Sequence, residues 1–163
     1  MVRLGVWEDE RYIGCVLFGW GASPYLGRAY SLDLTECVEL TRVALRDHRA
    51  PVSEIVAKAL AHLHKHSPGV RLVVSFADPV QGHHGGIYQA GNWLFTGSSG
   101  ETEEYLYQGK WYHRRTARAA GSRMPLETMP RRIQPGKLRY LYPLDRAMRR
   151  KVAPLALPYP KAP

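Results

Sequence analysis

Apolar and polar positions along this chain switch between a period of two and helical spacing, and the switches mark its elements. Tyr12 to Phe18 is a β-type apolar run, and Gly19 to Tyr30, rich in Gly, Ser and Pro, reads as a loop. Cys37-Val-Glu-Leu-Thr-Arg-Val-Ala-Leu begins by alternating with period two. That predicts a strand exposing Glu39, with strict alternation placing Arg42 on the other face. Pro51 suits the first turn of a helix whose apolar stripe is Ile55, Val56, Ala59, Leu60 and Leu63, and Pro68-Gly69 ends it. Val70 to Phe76 follows as a buried strand closing at Asp78-Pro79. Gly85-Gly86 then precedes a single helical turn from about Ile87 to Ala90, and Asn92 to Thr96 reads as another strand. Tyr105 to Arg114 is one more, with Gln108-Gly109 a tight turn or bulge. The middle of the chain is therefore strand, helix, strand, helix, strand, an α/β sandwich with a right-handed crossover expected between its parallel pair. The last fifty residues differ. Pro130 to Lys137 holds two prolines, Pro143 to Lys151 predicts one short basic helix, and Leu157-Pro-Tyr-Pro-Lys is extended because each proline blocks helix.

Composition narrows this picture. At 163 residues and 45% hydrophobic content the chain has enough apolar surface for a core without staples. Cys15 and Cys37 lie in or beside apolar runs with no zinc-site spacing, which reads as two reduced core thiols. No membrane-length apolar run or signal peptide is present, so the expected location is the cytoplasm. The net charge of +9 is unevenly placed: residues 1–109 carry 9 Lys/Arg against 12 Asp/Glu, and residues 110–163 carry 14 against 2. A basic C-terminal third points to a polyanion partner, because neutralised phosphates release counterions; a solvated basic tail is the plainer alternative.

Candidate chemistry gathers in Ser75-Phe-Ala-Asp-Pro-Val-Gln-Gly-His-His-Gly-Gly-Ile-Tyr-Gln-Ala-Gly-Asn-Trp-Leu-Phe95, where a strand runs into a polar turn and a short helix. Asp78 puts a carboxylate at the carboxyl end of a sheet strand, where open α/β folds collect ligands, or else it caps the turn. Tyr88 supplies a phenol for acid catalysis or base stacking, or is a core tyrosine with a polar tip. Arg42 holds a phosphate or carbonyl oxygen, or pairs with Glu39 or Asp47. Ser53 is a polar group at a helix start or that helix's cap. Asn92 and Trp93 offer a hydrogen-bonding amide and an aromatic surface and are assigned to substrate, with the hydrophobic core as the other home for Trp93. His83 and His84 are assigned to substrate; with Asn92 and His113 they only loosely suggest a His-Asn-His nuclease, whose hairpin-and-helix frame is missing. No metal site is expected.

The arrangement from Cys37 to Gly97 resembles the GNAT acyltransferase fold. Cys37-Val-Glu-Leu-Thr-Arg-Val-Ala-Leu, the Ser75 to Trp93 segment and Leu155-Ala-Leu-Pro-Tyr-Pro-Lys are together similar to the phage-encoded Mom family. The resemblance implies a GNAT-like mixed central sheet flanked by helices over residues 1–118, with residues 119–163 a basic extension packed on that domain or contacting DNA. It also implies an enzyme of the host cytoplasm that converts adenine N6 in phage DNA to a carbamoylmethylamino group and so protects the genome from restriction. Asp78, Tyr88, Arg42 and Ser53 are the implied catalytic residues, and a flipped adenine in double-stranded DNA is the substrate. In one respect the chain departs from GNAT enzymes. Their pyrophosphate turn is glycine-rich, whereas Arg46-Asp-His-Arg-Ala-Pro51 has arginine and proline at the glycine positions, leaving Arg46 and Arg49 as side-chain phosphate ligands. An activated glycyl donor, with glycyl-tRNA as the concrete candidate and tRNA hence a second partner, is favoured over acetyl-CoA. The competing expectations are an acetyl-CoA-dependent N-acyltransferase and a non-catalytic nucleic-acid-binding module.

Overall fold

The computed structural model describes residues 1–21, 23–119 and 124–161. β1 (Val2–Glu8) and β2 (Arg11–Gly19) form an antiparallel hairpin turned by Asp9 and Glu10, both at positive φ. β2 pairs antiparallel with β3 (Cys37–Leu45). The chain then crosses through α1 (Val52–His66) and returns as β4 (Leu72–Ala77), parallel to β3. A 3-10 turn (Pro79–Gln81) and α2 (Gly86–Ala90) lead to β5 (Leu94–Ser98). β6 (Thr102–Tyr107), β7 (Lys110–His113), α3 (Arg114–Ala117) and β8 (Arg131–Gln134) follow, and β9 (Leu138–Pro143) and α4 (Arg146–Val152) complete the order. The strands make a mixed six-stranded sheet, β1-β2-β3-β4-β9-β5, and a three-stranded antiparallel sheet, β7-β6-β8.

The helical stripe read from the sequence is the buried face of α1. Ile55, Val56, Ala59, Leu60 and Leu63 pack on Ile13, Val16, Phe18, Leu40 and Val73. On the other side of the sheet, Met148 and Val152 of α4 meet Leu72, Val74 and Leu141. β4 is covered on both faces, which is why its sequence is a continuous apolar run rather than an alternation. Among the described residues no helix is long and apolar enough to cross a membrane.

Two expectations change. A bulge between β2 and β3 sets Arg42 opposite Leu17 but Leu40 opposite Phe18, so Thr41 is the extra residue. The shift of phase brings Arg42 onto the same face as Glu39, where strict alternation had separated them. The second concerns the chain end, because β9 lies between β4 and β5 and residues beyond 118 therefore supply an inner strand of the main sheet rather than an appendage to it. Arg139 in mid-strand disguised it. Its guanidinium is satisfied by Thr96 Oγ1 and the Thr96 carbonyl, each at 3.0 Å. Pro130 and Pro135 bracket β8 at the edge of the small sheet, where a missing N–H is tolerated.

Candidate active site

β3 and β4 pair only over Cys37–Glu39 with Leu72–Val74, although β3 continues to Leu45 and β4 to Ala77. The ladder stops partway and the carboxyl halves of the strands form a fork. Ser75 is the first residue of β4 past the last pair and is 1% exposed. Its Oγ lies 3.1 Å from the Leu40 carbonyl across the fork and 2.8 Å from Tyr88 Oη. A carbonyl only accepts and a hydroxyl has one proton. At rest, therefore, Tyr88 donates to Ser75 and Ser75 donates to Leu40. Rotating the serine proton reverses the first bond and makes Ser75 a donor to a Tyr88 phenolate.

Tyr88 reaches Ser75 because Gly85, with φ 85°, stands at the N-cap of α2, where a Cβ would lie 2.4 Å from the Tyr140 ring. Only glycine combines that φ with so close an approach. The Tyr88 ring packs against Trp93 and Tyr140, with centroids 5.1 and 5.0 Å apart. Burial raises its pKa above the ordinary phenol value, opposed by the bond to Ser75, while the Glu39 charge pushes in the same direction as burial. Tyr88 is thus a proton-bearing group at neutral pH.

Behind this pair a polar network ties α2 to the chain end. Tyr140 donates to the His84 carbonyl at 2.7 Å, and Gln89 Nε2 lies 3.2–3.3 Å from the His84 carbonyl, Tyr140 Oη and the Pro160 carbonyl. Tyr159 donates to the Trp93 carbonyl at 2.7 Å, and Leu157 N–H to the Phe95 carbonyl at 2.8 Å. Residues 157–160 therefore strap the segment that holds Tyr88.

The other expected residues fall in different places. Asp78 ends β4, with Oδ1 accepting from Val80 N–H at 3.0 Å and Oδ2 paired with Lys137 at 3.3 Å, so in this state it has the capping role. Its hydrogen-bond and ion-pair partners are thus Val80 and Lys137, whereas the Tyr88 phenol is bonded to Ser75. Arg42 is exposed on β3. Ser53 is half-buried in the first turn of α1 but does not cap it, since Pro51 holds the N-cap position without a side-chain bond. His83 is exposed, and half-buried His84 contributes its carbonyl to the network. Asn92 is exposed at φ 57°. Trp93 is 0% exposed, wedged between Tyr88 and Tyr142, so it is a core residue and not a stacking surface. Among the described residues no cluster of three or more His, Cys, Asp or Glu is arranged to hold a metal ion.

The turn before α1 tests the phosphate-binding expectation directly. Two of its N–H groups, those of Arg49 and Ala50, donate to the two carboxylate oxygens of Glu8 at 3.0 and 2.9 Å. These bonds, from Arg49 first and Ala50 second, hold the Glu8 carboxyl below the ordinary range. Arg49 is tied by its guanidinium to Asp9, while Arg46 is exposed and its N–H bonds the Ile13 carbonyl. A carboxylate from the β1–β2 hairpin thus already takes the two N–H groups nearest the start of α1, and Pro51 has no N–H to add. The residues do not fit a CoA pyrophosphate.

Sequence reasoning did not single out Ser75 and expected Glu39 to be exposed. A lone hydroxyl inside Leu72-Val-Val-Ser-Phe-Ala77 was the available signal, since a buried strand interior otherwise excludes polar groups. Glu39 is half-buried and its carboxylate lies against the backbone of Gly21, at φ 62°, where a side chain would collide with it.

This geometry can be set beside known proteins. The methylcarbamoylase mom of Escherichia phage Mu is 34% identical over 122 residues, which is 72% of this chain and 50% of that protein. The chain thus spans about half the length of this curated relative. A family model described as the Mom protein family matches residues 1–161, nearly the entire sequence and both halves of the fork, and the chain belongs to that family.

Proposed function

We propose that this protein is a phage DNA-modifying enzyme that converts adenine N6 to a carbamoylmethylamino group, with the fork between β3 and β4 as its reaction centre. Membership of a family in which a relative is named a methylcarbamoylase carries the reading. The protonated, buried phenol at the fork supports it, because acyl transfer needs a proton for the departing oxygen.

The product group has the atoms of a glycyl unit, which fixes a balanced route. Adenine N6 attacks the carbonyl of an activated glycyl ester; N6 loses a proton and the ester oxygen leaves with the proton of Tyr88. Ser75 then turns its O–H toward the Tyr88 phenolate until water returns a proton to it, matched by the proton that Asp78 gives up to water. The free glycyl amine next attacks C6, one of its protons passes to N6 as the C6–N6 bond breaks, and the original N6 ends as the terminal amide nitrogen. Asp78 accepts the N6 proton after exchanging Lys137 for substrate, and Arg42, exposed near the fork, steadies donor phosphate or carbonyl oxygen. Glycyl-tRNA is a donor of the required class. No step uses CoA, whose pyrophosphate the Glu8-filled turn does not accommodate.

Growing expressing cells on nitrogen-labelled glycine tests the route. The label is expected on the nitrogen attached to C6, so that fragmentation releases unlabelled ammonia from the amide. Label in the released ammonia, or an acetylated adenine, would overturn it.

A further inference from the structure

We propose that α4, with the groove between it and α1, is the surface that holds the phosphate backbone of duplex DNA. This rests on DNA being the substrate, but its evidence lies elsewhere in the molecule. Arg146, Arg149, Arg150 and Lys151 occupy four of the seven residues of α4, and all are exposed. Among the described residues none of the four is paired with a carboxylate, whereas Arg49, Arg71, Arg114, Arg131 and Arg132 all are. Unpaired cations in one stretch are a field for a polyanion, not a structural network.

The helix is built to present them. Met148 and Val152 are buried at 0% and 1% exposure and fix its inner side, which sets Arg150 on the outer side and Arg146 with Arg149 along one flank. Asp145 caps the first turn through Met148 N–H at 2.7 Å and is itself neutralised by Arg71 at 2.8 Å. Asp145 is the acid lining the groove, and Arg71 followed by the Met148 N–H holds it below the ordinary carboxylate range. The groove has a volume of about 270 Å³; its α1 wall is Ala57, Leu60, Ala61 and His64, and Arg146 and Arg149 stand on its rim. Small alanines on one wall and guanidiniums on the other suit a phosphodiester chain.

Duplex DNA, rather than another polyanion, follows from where α4 starts. Pro143 pairs with Leu72, so α4 begins near the amino end of β4, about 20 Å along that strand from Asp78 at the fork. A duplex with one base in the fork continues on both sides of it, and one turn covers roughly 34 Å, so flanking phosphates reach α4 within a turn.

Binding of a fluorescent three-turn duplex, measured against salt, tests this without needing the reaction. Arg146→Ala, Arg149→Ala and Arg150→Ala together should weaken binding at least tenfold near physiological salt. They should also flatten the slope of log K on log salt by roughly 0.9 per lost contact. Arg150→Ala alone, at an outer position with no packing role, should flatten it by about one such step. Unchanged affinity and slope in both variants would overturn the proposal. So would a loss confined to tRNA with duplex binding intact. If the slope falls but no modified adenine is ever formed, this surface stands and the proposed reaction fails.

Discussion

A serine inside a buried apolar strand must find partners for its hydroxyl or pay the desolvation cost of leaving it unmade. Ser75 has two, the Leu40 carbonyl and Tyr88. Ser75→Ala strands both buried groups, and a loss of roughly 1–3 kcal/mol is expected in urea unfolding. Tyr88→Phe keeps the ring packing on Trp93 and Tyr140 and should lose only about 1 kcal/mol. That contrast separates a positioning serine from the phenol proposed as the acid: the serine variant should suffer in stability, the tyrosine variant mainly in chemistry. A serine variant as stable as the parent would show that the pair does not form. At this scale the sequence was legible for Tyr88 as far as its placement goes, a core tyrosine with a bonded polar tip being one of the readings its position allowed. At Trp93 it left two readings open, because an aromatic beside a polar asparagine looks the same whether it faces a ligand or the core, and the structure buries the ring.

At the scale of elements, α1 was readable in full because its apolar stripe and its bounding prolines agree. What the sequence did not announce was how its start is satisfied, since Glu8 lies about forty residues away and the bond is purely tertiary. The consequence is a pH dependence. Backbone donors lower the folded pKa of Glu8 below its ordinary 4.5, so its contribution is complete above that value and is lost as pH falls through the folded value. Glu8→Gln should therefore lower Tm at neutral pH, and the two melting curves should converge as pH drops below 4.5. An offset that stays constant with pH would contradict the bond's role. β9 was hidden for a related reason: Arg139 interrupts its apolar run, and the Thr96 groups that satisfy it come from a different strand.

Over the whole molecule, the charge division seen in the sequence resolves into two kinds of basic residue. Arg114, Arg131 and Arg132 pair with Glu103 and Glu104, while among the described residues those of α4 pair with no carboxylate. The chain end that carries α4 also supplies β9 and the strap over Tyr88, which couples the proposed DNA surface to the fork. The most direct test of the account is nucleoside mass spectrometry on DNA from cells making the protein or its Tyr88→Phe variant. The parent should yield deoxyadenosine heavier by a glycyl residue, and the variant, still soluble and still binding duplex, should yield at most about a hundredth as much. Unmodified adenine with the parent protein, or equal product from the variant, would contradict it.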